Sequence, residues 1–142
     1  MRVWRISNFV DLSGTGGERA SGRWHRMGTP IVYCADHPAL ALLEILVHLN
    51  YDDIPRSHQW LGIDVPEDLP IENLDCASAA IDDSRALGQA WLERRATALA
   101  RVASVIAPAA HNLLINPRHP DAIRLQIVER IAFPFDPRLR GG

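Results

Sequence analysis

A chain of 142 residues with 47% hydrophobic content has the size and make-up of one globular domain that can bury a real core. Its formal net charge of −2 removes any electrostatic case for nucleic-acid or membrane binding. No apolar run approaches the roughly 20 residues of a membrane span. MRVWRISNF lacks a signal-peptide apolar core, and Cys34 and Cys76 form neither a metal pattern nor a disulfide framework. A single domain over 1–142 in a reducing cytoplasm is expected.

Met1 to Ile6 alternates apolar and polar side chains and reads as a strand, with Arg5 near its end. Asp11 to Gly22 (DLSGTGGERASG) is rich in Gly and Ser and reads as a loop; it carries no Walker or dinucleotide fingerprint. Arg23, Trp24, His25 and Arg26 follow. Met27 to Pro30 reads as a turn and Ile31 to Cys34 as a short buried strand carrying Tyr33. Cationic groups beside aromatic ones suit a phosphate and a flat heterocycle, because arginine grips phosphate with two N–H groups and an aromatic face stacks. Taken alone, Arg-Trp beside a strand is more often a packing pair.

Pro38 to Leu49 is apolar on every side, so a buried helix is expected, with Pro38 in its first turn, Asp36 as its cap and Asn50 at its far end. Glu44 is its one charged residue, with His48 one turn later on the same face. An unpaired carboxylate there costs several kcal/mol, so Glu44 must be paired, protonated or facing a cleft.

Tyr51 to Pro55 reads as a turn, Gln59 to Val65 as a strand and Pro66 to Asp75 as a solvated loop. Asp82 or Asp83 can cap a second helix running to about Arg101, a covering helix slightly weakened by Gly88. Ala103 to Ala107 reads as a buried strand carrying Ser104, whose hydroxyl has a nearby backbone group as its usual partner. His111 to Asn116 suits a short strand, Pro117 to Pro120 a rigid turn, and Ile123 to Ile131 a half-exposed strand with Ile123, Leu125 and Ile127 inward. Several short strands and two main helices without regular βαβ alternation argue for an α+β fold.

The composite is more specific than its parts. GRWHRMGTPIVYCADHPALALLEILVHL, then ASVIAPAAHNLLINPRHPDA, then FDPRL resembles the RES domain, a family named for its arginine, glutamate and serine. The order matches over nearly the whole chain. Two positions depart from the usual pattern: His25 stands where asparagine is commoner, and Ala103 where proline is. The resemblance implies a small split β-core with flanking helices around an NAD cleft, similar to ADP-ribosyltransferases. It implies a toxin of a bacterial toxin–antitoxin pair, restrained by an Xre-type antitoxin with a helix-turn-helix domain. The implied reaction is cleavage of the nicotinamide–ribose bond of NAD, with ADP-ribose passed to a protein, phosphate or water, and no metal.

Carried onto this sequence, Glu44 stabilises the charge that builds on the ribose, Arg23 and Arg5 hold the pyrophosphate, Tyr33 stacks on nicotinamide, and Ser104 bonds the ribose or its phosphate side. The catalytic set is Arg23, Glu44 and Ser104; His48 is a support for Glu44 and stays outside it. Two other classes compete: a metal-independent ribonuclease toxin using His25, Arg23 and Glu44 as acid, clamp and base, and a non-catalytic nucleotide-binding module. The charge balance disfavours the nuclease, and the cost of a buried glutamate near a phosphate clamp disfavours the module.

Overall fold

Strand-forming alternation and one helix-period segment after Pro38 lead to a seven-stranded mixed sheet with its main helices on one face. The structure, a computed structural model, describes residues 1–76 and 80–140. The strands are β1 (Arg2–Ser7), β2 (Val32–Ala35), β3 (Gln59–Asp64), β4 (Ile71–Asn73), β5 (Leu99–Ala103), β6 (His111–Ile115) and β7 (Gln126–Ile131). The helices are α1 (Gly16–Arg19), α2 (Pro38–His48) and α3 (Ile81–Arg94). The fold is α+β, as expected. The sheet order is β4-β5-β6-β2-β1-β3-β7, and every pairing is antiparallel except β4 with β5.

The sheet is continuous but nearly parts in its middle. β1 and β3 pair from Arg2↔Asp64 to Ser7↔Gln59, whereas β1 and β2 meet at Trp4↔Ala35 alone. One face buries Val3, Val32, Ile63, Leu99, Leu113 and Ile115. The alternate residues form two clusters on the other face. Trp91 and Leu92 of α3 pack on Ala100, Val102 and Leu114; Leu40 and Ala41 of α2 pack on Ala35, Trp4 and Ile6.

Several expectations need correction. The helix after Pro38 is not buried all round: Leu40 and Ala41 are its buried residues, while Leu43 and Val47 are 42% and 58% exposed. An all-apolar helix carries no directional signal, and here its outer side meets solvent. Its cap is His37, whose Nδ1 accepts from the Ala39 amide at 3.0 Å. Asp36 instead accepts from the His111 amide at 2.9 Å, tying α2's approach to β6. The second helix ends at Arg94, with Arg95 left-handed at φ 54°, and Leu99 belongs to β5. The strand expected over 103–107 therefore ends at Ala103, which puts Ser104 in the following turn. Ile123 lies in a 3-10 turn, Pro120–Arg124, and is 85% exposed rather than inward. The loop after Pro66 contains β4, and the Gly-rich loop contains α1.

Candidate functional site

Where β1 and β2 diverge, a cavity of about 400 Å³ opens. Trp4, Arg5 and Ile6 of β1 and Tyr33, Cys34 and Ala35 of β2 line it, so neighbours of opposite parity reach one space. Glu44, Ile45, His48 and Leu49 form the α2 side, Asn112 comes from β6, and residues 16–17, 20–22 and 25 form the loop side.

Glu44 reaches this cavity because Leu40 and Ala41, one turn earlier, seat the helix on β1 and β2. Its side chain is 25% exposed. Asn112 Nδ2 donates to Oε1 at 2.9 Å, and His48 Nε2 stands 4.0 Å from Oε2. One carboxylate oxygen is thus held by an amide, and the other faces His48 at 4.0 Å. His48 is 76% exposed, which fits a rim group rather than a buried partner.

The opposite wall is held by a chain of hydrogen bonds. His25 is buried, and its Nε2 lies 2.8 Å from the Ala20 carbonyl and 3.1 Å from that of Gly17. Carbonyls only accept, so Nε2 carries the proton. Nδ1, 2.7 Å from the Tyr33 hydroxyl, is then the acceptor and Tyr33 the donor. The same hydroxyl accepts from the Trp24 amide at 3.2 Å. Burial lowers the His25 pKa below its ordinary 6.5, against the two carbonyl bonds that raise it, and the nearby Arg85 charge adds to the fall. Burial also pushes the Tyr33 phenol well above its usual range. Both rings are therefore neutral at pH 7. The Tyr33 hydroxyl has its proton committed to His25, so it has no donor left for a ligand and presents its ring to the cavity. Burial pushes the Cys34 thiol up to about 12, which makes it inert as a nucleophile.

Behind the loop lies α3. Ser84 Oγ donates to the Arg23 carbonyl at 2.8 Å, Arg85 Nε to the Gly22 carbonyl at 2.8 Å, and Gln89 Oε1 accepts from the Arg26 amide at 2.9 Å. Gly88 sits between them, where an added Cβ would lie 2.0 Å from the Trp24 carbonyl oxygen. Residues 84, 85, 88 and 89 fall on one helical face. The second helix is therefore a bracket for the Arg23 loop, and Gly88, read from the sequence as a weak spot, is what permits the contact.

Of the five residues singled out from the sequence, Arg5, Tyr33 and Glu44 line the cavity together. Arg23 lies on the bracketed loop, half-buried, outside the lining. Ser104 is also outside it. Its hydroxyl accepts from the Ile106 and Ala107 amides at 3.1 Å each, the backbone bonding expected of a turn serine. The turn stays near the site, because Ala107 and Ala110 pack against the α2 cluster. Asn112 was not singled out beforehand. Its signal was indirect: a helix carboxylate needs a donor, and Asn112, the second residue of β6, pairs with Ala35 of β2.

An α+β sheet parted at its centre brings a carboxylate, an aromatic ring and an arginine to one cavity, the arrangement of a small-ligand site. Residues 2–136 match the RES domain, and the chain belongs to that family. It is 44% identical over 128 residues to Toxin Res of Pseudomonas putida, covering 86% of this chain and 88% of that protein. It is 38% identical over 152 aligned positions to the Prs ADP-ribosylating toxin of Sphingobium sp., covering 96% and 94%. Its structure is similar to a chain of the M. tuberculosis MbcT–MbcA toxin–antitoxin complex, with TM-score 0.72 and 18% identity, over 92% of this chain and 82% of that one. Among the described residues no helix is long and apolar enough to cross a membrane.

Proposed function

We propose that this protein is the toxin of a toxin–antitoxin pair and an enzyme that cleaves the nicotinamide–ribose bond of NAD. The observation that carries the reading is Glu44, fixed through Oε1 by Asn112 and facing a cavity walled by Tyr33 and Arg5. As the glycosidic bond breaks, its electron pair moves onto the pyridinium nitrogen and neutral nicotinamide leaves. Positive charge builds on the ribose, and a preorganised carboxylate stabilises that charge more than it stabilises the ground state. The chemistry needs no metal, because the leaving group begins as a cation. Tyr33 presents its ring to nicotinamide, Arg5 and Arg23 take the pyrophosphate, and Ser104 takes the ribose or its phosphate side; Arg23, Glu44 and Ser104 form the catalytic set. For Arg23 and Ser104 this requires ligand-induced approach, since neither lines the cavity.

The name of the Sphingobium relative supports transfer of ADP-ribose to a protein; phosphate and water are the other acceptors. The similarity to a chain of a toxin–antitoxin complex supports an antitoxin partner, which we take to be an Xre-type helix-turn-helix protein acting in the cytoplasm. The ribonuclease reading loses its acid, because both nitrogens of His25 are engaged and the ring is neutral.

The test is product analysis by mass spectrometry after incubation with NAD, with and without phosphate and lysate, beside an RNA control. Released nicotinamide with ADP-ribose, its phosphate or a labelled protein is expected. Intact NAD with cleaved RNA would overturn the reading.

A further inference from the structure

The His25 side chain is bonded both to the sheet and to the Gly-rich segment. Its Nε2–H is shared by the Gly17 and Ala20 carbonyls, at the middle and just past the end of α1. Its Nδ1 takes the Tyr33 proton from β2. Four-residue α1 has no side-chain cap and cannot hold itself in place. Glu18 and Arg19 are exposed and Gly17, the buried residue of α1, has no side chain, so the helix gains little from side-chain burial. Gly22, between them, comes so close that a Cβ there would lie 2.6 Å from the Tyr33 hydroxyl. The α3 bracket secures residues 22–26, ahead of which 16–20 continue along the cavity wall. Backbone bonds from Gly28 N to the Gly17 carbonyl and from Ile31 N to the Gly14 carbonyl, both 3.3 Å, hold the far side of the segment, and the His25 side chain ties its cavity side to Tyr33.

We propose that His25 is a positioning residue: a neutral imidazole of fixed tautomer that staples the 16–22 segment against Tyr33, so that the cavity is pre-shaped for its ligand. The proposal rests on the NAD reading for the identity of that ligand. A pre-formed wall lowers the ordering cost of binding and takes no part in bond breaking. Losing the staple is therefore a binding defect. An imidazolium in the same place would have to donate from both nitrogens, and Tyr33 would then lose its acceptor.

Three measurements test this. For His25→Ala, KM for NAD should rise about tenfold while kcat stays within about twofold, the signature of lost uniform binding. Amide exchange at residues 16–22 should quicken in the same variant. His25→Gln, whose amide N–H can still reach a carbonyl, should recover part of the KM. A fall in kcat with KM unchanged would place His25 in the chemistry and overturn the proposal; so would unchanged exchange in the loop. The wild-type protein gives a readout that no folding failure can spoil: its ¹⁵N spectrum should show His25 protonated at Nε2 alone, and a proton on Nδ1 would overturn the staple. If wild type leaves NAD intact, the substrate reading fails, while tautomer and exchange rates still judge the staple.

Discussion

Replacing Gly88 by alanine separates two accounts of α3 by the sign of one number. On an exposed helix face, glycine to alanine stabilises by about 1 kcal/mol, because alanine loses less backbone entropy. Here the new Cβ would lie 2.0 Å from the Trp24 carbonyl oxygen and 2.7 Å from its carbon. Carbon–oxygen contacts settle near about 3.3 Å, so loop and helix must part by roughly 1 Å. The bonds from Ser84, Arg85 and Gln89 to the loop backbone, 2.8 to 2.9 Å long, would then be stretched beyond useful length. At about 1 kcal/mol net for each, their loss outweighs the helix gain by about 2 kcal/mol. For a domain of this size that is a fall of roughly 6 °C in Tm, read by calorimetry or circular dichroism. KM for NAD should rise as well, since Arg23 and His25 ride on the displaced loop. A variant that melts at or above the wild-type temperature would show that the loop is not docked on α3.

Other substitutions test the opposite wall and its charges. Glu44→Gln keeps an oxygen for Asn112 and removes the charge; NAD turnover should fall on the order of 10²–10³ with Tm unchanged, measured by nicotinamide release. Arg23→Ala should weaken NAD binding more than Arg23→Lys in calorimetric titration, and lysine should not rescue fully, because it keeps charge without the two-pronged donor. The pH dependence of stability should carry His25. Its folded pKa lies below the ordinary 6.5, so the unfolded chain binds the proton first; the stabilisation is fully present above 6.5 and is lost as pH falls below it. His58, also lowered by burial, contributes in the same direction, so the decisive measurement is the smaller loss of Tm between pH 7 and pH 5 in His25→Gln than in wild type.

Glu44 was legible in the sequence because one charge in an apolar helix is costly, and the structure gives it a donor and a cleft. Tyr33 and Arg5 were legible as side chains on strands, whose pairing at the parted seam no local pattern could reveal. The end of the second helix was not legible. Ala96 to Arg101 contains good helix formers, yet β5 is claimed by pairing with β4 and β6 on either side, and a tertiary ladder overrides local propensity. The cap of α2 was missed because Asp36 has the commoner capping side chain, while His37 has the correct position. The bracket on α3 was hidden for a different reason. Ser84, Arg85 and Gln89 look like solvent-facing polar residues until the backbone they hold is in place.

The single Trp4↔Ala35 pairing gives the sheet the construction of two panels on one pin. Strands β1, β3 and β7 make one panel and β2, β6, β5 and β4 the other. Helix α2 lies across both as a clasp, with Leu40 and Ala41 on Ala35 from one side and on Trp4 and Ile6 from the other. Arg5 travels with the first panel, Tyr33 and Asn112 with the second, and Glu44 with the clasp itself. A molecule filling the cavity touches all three bodies at once. Binding there stabilises the native arrangement of all three together, adding to the core of Val3, Ile63, Val32 and Leu113 that spans the two panels on the other face.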